Sequence, residues 1–213
     1  MIRRHVLVAV VCGLVAVPRA GQAQFTGTAA GLILNVRARS EAGSVTRARG
    51  TAVGFAGSVG FHRLALEVRY AEGTLRPADR QSDARDLVEG AVALRFAATP
   101  WLSLQAGPHA RRYDSPQGAE RWVTWQLGGR GEVAIAGSGV RGHASLWRGL
   151  GLGVNVPPGS GSVRGGEVGV TVDLGPRPFW FALSYGIDQA QVRDAARLET
   201  VETLTLTAGL RRR

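Results

Sequence analysis

Strict alternation of apolar and polar side chains in short segments constrains this chain more than any other feature. At 61–74 the even positions Leu64, Leu66, Val68 and Tyr70 form one apolar face, while Glu67 and Arg69 stand on the other. A repeat of two is that of a β-strand, whose successive side chains point to opposite faces. The same pattern recurs between Gly-, Pro- and Arg-rich breaks. The two faces of such strands call for two different surroundings, one apolar and one polar.

Residues 1–23 are set aside as a predicted signal peptide. Arg3, Arg4 and His5 make a charged start, 6–17 is apolar, and Gly21-Gln22-Ala23 offers the small residues of a cleavage site, with cleavage expected after Ala23. The apolar run is shorter than the roughly 20 residues that a spanning helix needs. Cys12, the only cysteine, lies inside that run behind Val11, which does not suit a lipid-attachment site. Residues 24–213 then form a single domain without thiol chemistry. All 26 basic residues are Arg. Removing Arg3, Arg4 and Arg19 leaves 23 Arg against 16 acidic residues, a charge of +7. The arginines are scattered without a nucleic-acid reading motif, so nucleic acid is excluded as a partner and anionic headgroups are kept.

The alternation predicts ten strands. At 25–38, Leu32, Leu34 and Val36 share a face opposite Gly31, Ile33, Asn35 and Arg37; at 50–59, Val53, Phe55 and Val59 oppose small residues. The segment at 61–74 is the third. At 84–98, Val88, Val92, Leu94 and Phe96 point outward against Glu89 and Arg95. At 101–113, Leu102, Leu104 and Ala106 oppose Gln105, His109 and Arg111; at 120–136, Val123, Trp125, Leu127, Val133 and Ile135 oppose Gln126, Arg130 and Glu132. At 140–154, Ala144, Leu146, Leu150 and Leu152 are expected outside and Arg141, His143, Ser145 and Trp147 inside, with Arg148 at a headgroup level. The last three, 163–174, 179–188 and 199–211, present Val168 to Leu174, Phe179 to Ile187 and Leu204 to Leu210 outward, with Glu167 and Asp173 inward.

These segments describe an all-β chain, a closed antiparallel up-and-down transmembrane β-barrel with lipid outside and a polar lumen. Ten strands is the expected count and eight the alternative. Breaks after the even strands are short, whereas those near 40–49, 75–83, 114–119, 156–162 and 190–198 read as longer loops. Short turns in the periplasm and longer loops outside are the bacterial arrangement. A soluble lipocalin-like barrel, the structural competitor, needs the opposite faces.

On these strands and turns the chain resembles the small outer-membrane β-barrel proteins of didermic bacteria, over nearly all of 24–213. The final segment 203–213 is similar to the closing strand that the barrel-assembly machinery recognises, with Gly209 and Leu210 in matching places, but it ends in Arg211-Arg212-Arg213 where an aromatic residue is usual. The resemblance implies a bacterial outer-membrane location and names a class rather than one family.

Glu67, Arg69, Glu89, Arg95, Arg130, Glu132, Arg141, Glu167 and Asp173 fall on the enclosed face. Unpaired charges there are costly. Pairs between Glu67 or Arg69 and Glu89 or Arg95, and between Arg130 or Glu132 and Arg141, are therefore expected, forming a charged plug that fills a narrow barrel. Arg37, Arg39, Arg47, Arg49, Arg111 and Arg112 flank the outer loops and are candidate contacts for lipopolysaccharide phosphates.

Ten-stranded omptin proteases share the strand count, but their chemistry needs acidic pairs and an Asp-His pair at the rim. Asp83, Asp86, Asp188 and Asp194 lie near two loops, and neither His109 nor His143 adjoins an Asp. No Ser-His set of the kind used by lipid A-modifying barrels, no metal-ligand spacing and no phosphate loop is found; Gly128-Gly129 and Gly165-Gly166 read as strand glycines. The expected function is non-enzymatic and without cofactor: a plugged outer-membrane barrel serving envelope integrity or surface interaction. A narrow channel or small-ligand transporter is the alternative, and a rim-site enzyme comes third.

Overall fold

A computed structural model of the chain describes residues 25–78, 83–116, 118–135, 139–155, 158–175, 177–193 and 196–212. The predicted signal peptide and Asp194 lie outside them. Ten strands follow in order: β1 (Phe25–Ala42), β2 (Ser44–Phe61), β3 (Leu64–Pro77), β4 (Arg85–Ala97), β5 (Leu102–Ser115), β6 (Gly118–Ile135), β7 (Val140–Asn155), β8 (Pro158–Asp173), β9 (Phe179–Val192) and β10 (Arg197–Arg212). Each pairs antiparallel with its sequence neighbours, and β1 pairs with β10, so the sheet closes into a barrel.

Closure satisfies every strand edge, which is what lets a sheet stand in hydrocarbon. Paired residues also fix the tilt. From Gly27 the row runs through Val59, Leu66, Leu94, Ala106, Leu127, Arg148, Arg164, Gln189 and Thr200, and it re-enters β1 at Arg39. The row has climbed from 27 to 39, a stagger of twelve residues. Strands in such barrels tilt by roughly 35–45°.

The connections at one end are short, 62–63 between β2 and β3 and 98–101 between β4 and β5. At the other end two of the longer loops read from the sequence are largely strand. The segment 40–49 is a paired hairpin turning at Gly43 (φ 74°), and 190–198 is mostly strand as well. These strands run beyond what a bilayer needs, since about 9–11 tilted residues cross its hydrocarbon, and β1, β2 and β6 each have 18.

The extra length reverses the barrel's faces partway up. Near the short turns the wall is apolar outside, for example Leu64, Leu66 and Val68 on β3 and Phe179 through Ile187 on β9. Towards the hairpin end the outward residues become polar: Ile33 gives way to Asn35, Arg37 and Arg39, Val53 to Thr51, Arg49 and Arg47, Tyr70 to Glu72 and Arg76, and Leu204 to Glu202 and Thr200. The interior changes in the opposite sense. Charges fill its lower half, and Leu34, Val36, Leu75, Leu87, Trp122, Leu152, Val192 and Val201 pack into an apolar core in its upper half.

Two assignments change accordingly. In β1 the stripe Leu32, Leu34 and Val36 turns inward, with Leu34 2% exposed, and Ile33 faces out at 53%. In β7, Leu152 is inside at 4% exposure. A bulge causes this: Arg148 pairs with Arg164 but Leu152 pairs with Gly161, so one extra residue lies between them. Leu150 and Gly151 both face outward there, Gly151 has φ 92°, and its carbonyl accepts a hydrogen bond from Thr124 Oγ1 at 2.6 Å. A bulge shifts the alternation by one residue, and this one returns Leu152 and Val154 to the core.

Because of the bulge Leu152 is buried, whereas Leu150 two residues before it faces outward at 65% exposure. Each buried aliphatic side chain is worth about 1.5–3 kcal/mol, so Leu152→Ala should lose its heat-modifiable gel mobility at a clearly lower temperature than Leu150→Ala. Equal temperatures for the two variants would show that the bulge does not turn Leu152 into the core.

Candidate functional site

The lumen is built from inward residues of all ten strands. All nine charged residues singled out for the enclosed face do stand there, together with His109, Arg111, His143, Asp188, Arg197 and Glu199. Nearest the short turns, Arg141 bridges Glu132 and Asp173, at 3.0 Å from the latter, and Arg211 meets the same Asp173 at 3.0 Å. Arg95 pairs with Glu67 across β3 and β4 at 2.9 Å. Arg130 lies 3.8 Å from Glu132 and 4.0 Å from Glu167, and His143 Nε2 is 3.3 Å from Glu167. Arg69 reaches across the barrel to Thr205 at 3.5 Å.

The middle layer is a tight cluster. Arg111 donates to Glu89 from Nε and to Asp188 from Nη2, each at 2.9 Å, while Asp188 also accepts from Trp147 Nε1 at 2.8 Å. His109 Nε2 stands 3.4 Å from Glu89. Gly165 makes this possible: a Cβ there would sit 2.6 Å from both Asp188 Oδ1 and the Trp147 ring. The void between this cluster and the core, lined by Arg111, Trp122, Thr124 and Leu152, has about 20 Å³, room for one water.

At the hairpin end a second cluster caps the apolar core. Arg197 pairs with Glu120 and, at 2.7 Å, with Glu199, and donates to Ser40 Oγ at 2.9 Å. Tyr113 donates to the other oxygen of Glu199 at 2.7 Å, and Arg85 lies 4.3 Å over the Tyr113 ring. Glu199 is 2% exposed. Sequence reading missed this cluster because Glu120 and Glu199 are the first residues of segments recognised as strands and Arg197 lies in a segment read as a loop.

At the short-turn end the lumen opens into a vestibule of about 220 Å³ lined by His62, Arg63, Arg95, Trp101, Arg130 and Glu132. It ends beneath the charged layers. The outer surface has its own site, a collar where the apolar band stops. Arg37, Arg39, Arg47, Arg49 and Arg112 all face outward there, joined by Arg76, Arg121, Arg148 and Arg164. Arg111 does not: it is 7% exposed and held by Glu89 and Asp188, because it is one residue out of phase with Arg112. Of the tryptophans, Trp101 and Trp125 face outward, whereas Trp122 and Trp180 lie inside.

Four of the residues considered for rim chemistry are each held by other partners. Asp188 belongs to the Arg111 cluster and His109 to Glu89, Asp86 accepts from Thr74 Oγ1 at 2.8 Å, and His143 lies deep in the lower lumen against Glu167. Among the described residues no group of His, Cys, Asp and Glu could hold a metal ion.

No protein-family model matches the chain, and no curated protein matches it. Among solved structures it is similar to Neisserial surface protein A (14% identity, 88% of this chain and 95% of that one, TM-score 0.38). It is also similar to Ail, the attachment invasion locus protein of Yersinia pestis (12%, 87% and 99%, 0.38), and to the translocator domain of the autotransporter NalP from Neisseria meningitidis (10%, 86% and 88%, 0.46).

Arg111→Ala should be the most damaging single change in the lumen, since it strands Glu89 and Asp188 in a buried layer. Removing one partner of a buried ion pair costs about 3–5 kcal/mol, and unfolding in denaturant should shift accordingly. Arg112→Ala, one residue away on the outer face, should shift it by under about 1 kcal/mol. Equal effects would contradict the separation of the two faces.

Proposed function

We propose that this protein is a non-conducting barrel of the bacterial outer membrane, non-enzymatic, which serves envelope integrity or surface interaction through its external collar and hairpins. Removal of residues 1–23 by signal peptidase and insertion by the barrel-assembly machinery belong to this reading. Its partners are outer-membrane lipid and the phosphates of lipopolysaccharide.

The observation that carries the reading is the apolar core across the upper lumen. Leu34, Val36, Leu75 and Val192 are buried almost completely, and a hydrated ion has no polar path through side chains of that kind. Beneath them the Glu89–Arg111–Asp188 cluster fills the section with mutually satisfied charges. The apolar outer band supports the membrane location: β9 alone offers Phe179, Phe181, Leu183, Tyr185 and Ile187 over nine residues, and such a stripe facing water would be a severe aggregation hazard. With the apolar band in hydrocarbon, the hairpin ends of the strands stand in water beyond it.

In planar bilayers the unmodified protein should insert without current steps. Arg95→Ala and Arg130→Ala should lower its unfolding temperature without opening a conductance. Reproducible steps in the unmodified protein, altered by those two substitutions, would replace this reading with the narrow-channel one.

A further inference from the structure

The collar contains a row of like charges that the fold does not neutralise. Arg37 on β1 is paired in register with Arg49 on β2, and Arg49 with Arg76 on β3. All three face outward. Neighbouring strands are about 4.8 Å apart, so three guanidinium stems stand side by side within roughly 10 Å. One step further from the membrane, Arg39 is directly opposite Arg47. Like charges directly opposite each other across a sheet are destabilising.

The collar's other in-register arginine pairs, Arg112 with Arg121, Arg148 with Arg164 and Arg39 with Arg47, each have a member with a polar partner. Arg112 pairs with Asp114 two residues along its own strand at 2.8 Å, Arg39 pairs with Glu41 at 2.9 Å, and Arg164 donates to Gln189. Arg49 and Arg76 have Arg47, Thr51, Thr74 and Ala78 in the corresponding places, and among the described residues no carboxylate forms an ion pair with either. Glu202, in register with Arg37 on β10, bounds the row on one side. Below it on the same strands come first the polar residues Asn35, Thr51, Glu72 and Thr74 and then Ile33, Val53 and Tyr70, the upper limit of the apolar band. The row therefore stands in the polar zone just above that band.

We propose that Arg37, Arg49 and Arg76 form a binding row for a phosphorylated lipid headgroup of the outer leaflet. The proposal rests on the outer-membrane reading above and gives its lipid partner a place on the wall. Guanidinium groups bind phosphate through paired N–H donors. Three in a row can hold two phosphates of one headgroup, or bridge neighbouring headgroups, without a divalent cation between them. The bound anion removes the repulsion that the empty row stores.

The test uses the full-length protein purified from membranes, in detergent, with its unfolding temperature followed by heat-dependent gel mobility. The probes are phosphorylated lipopolysaccharide, the same lipopolysaccharide with its phosphates removed, and inorganic phosphate. Phosphorylated lipopolysaccharide should raise the unfolding temperature of the unmodified protein by several degrees, the dephosphorylated form should not, and inorganic phosphate at equal concentration should give little. Arg49→Gln/Arg76→Gln should unfold without lipid at the same or a higher temperature than the unmodified protein, because repulsion is relieved, and should lose most of the lipid-dependent rise. Arg112→Gln should keep that rise.

An undiminished rise in Arg49→Gln/Arg76→Gln would overturn the row as the site, and so would an equal response to the dephosphorylated lipid. An equal effect of inorganic phosphate would overturn the lipid headgroup in favour of a free anion. A separate control distinguishes failure of the broader reading: protein that remains folded in buffer without detergent would overturn the membrane barrel, and the row's lipid partner with it.

Discussion

Everything in this structure depends on the closed hydrogen-bonded ladder. Because β1 pairs with β10, no strand has a free edge, and the backbone of the wall is paired between neighbouring strands rather than left to its surroundings. The side chains are then free to answer only to their surroundings. Low on the barrel the outside is apolar and the inside charged; high on it the outside is charged and the inside apolar. One uninterrupted sheet thus carries both the inverted arrangement suited to lipid and the ordinary arrangement suited to water.

The two halves of the interior are sealed by different physics. In the lower half each carboxylate faces one or more guanidinium groups, as with Asp173 between Arg141 and Arg211, and the arrangement is held by geometry rather than by large net stabilisation. In the upper half, burial of aliphatic and aromatic side chains supplies the driving force, and the Arg197–Glu199–Tyr113 cluster covers it at the outer mouth. Glycines on the inner wall, such as Gly165, leave the room that Trp147 and Asp188 occupy. The lumen is therefore a packed core with two compositions.

The ten strands and the nine enclosed charges were legible because alternation with a period of two is a local signal. Glu67 and Arg69 on β3 needed only their neighbours in sequence to be assigned a face. What was not legible depended on height. Leu32, Leu34 and Val36 make an apolar stripe that reads identically whether it faces lipid or a core, and only the register with β2 and β10 shows that they lie in the lumen beside Asn35 and Arg37 facing out. Leu152 was misplaced because a one-residue bulge leaves no mark in the sequence beyond a glycine. Arg111 was grouped with Arg112 by proximity, although adjacent strand residues point to opposite faces. The in-register row of Arg37, Arg49 and Arg76 belongs to three strands and is visible only once the barrel is closed.

The central claim is that the wall changes surroundings at the collar, lipid below and water above. It is tested most directly by depth measurement on single-cysteine variants, made in a barrel domain that has no cysteine of its own. Nitroxide labels at Ile33, Val53 and Leu204 should be relaxed by oxygen dissolved in the bilayer, and labels at Arg37, Arg49 and Thr200 by a water-soluble nickel complex. A label at Leu34 should be shielded from both. Equal access of the water-soluble agent to all six outward sites, or access of either agent to Leu34, would contradict the account.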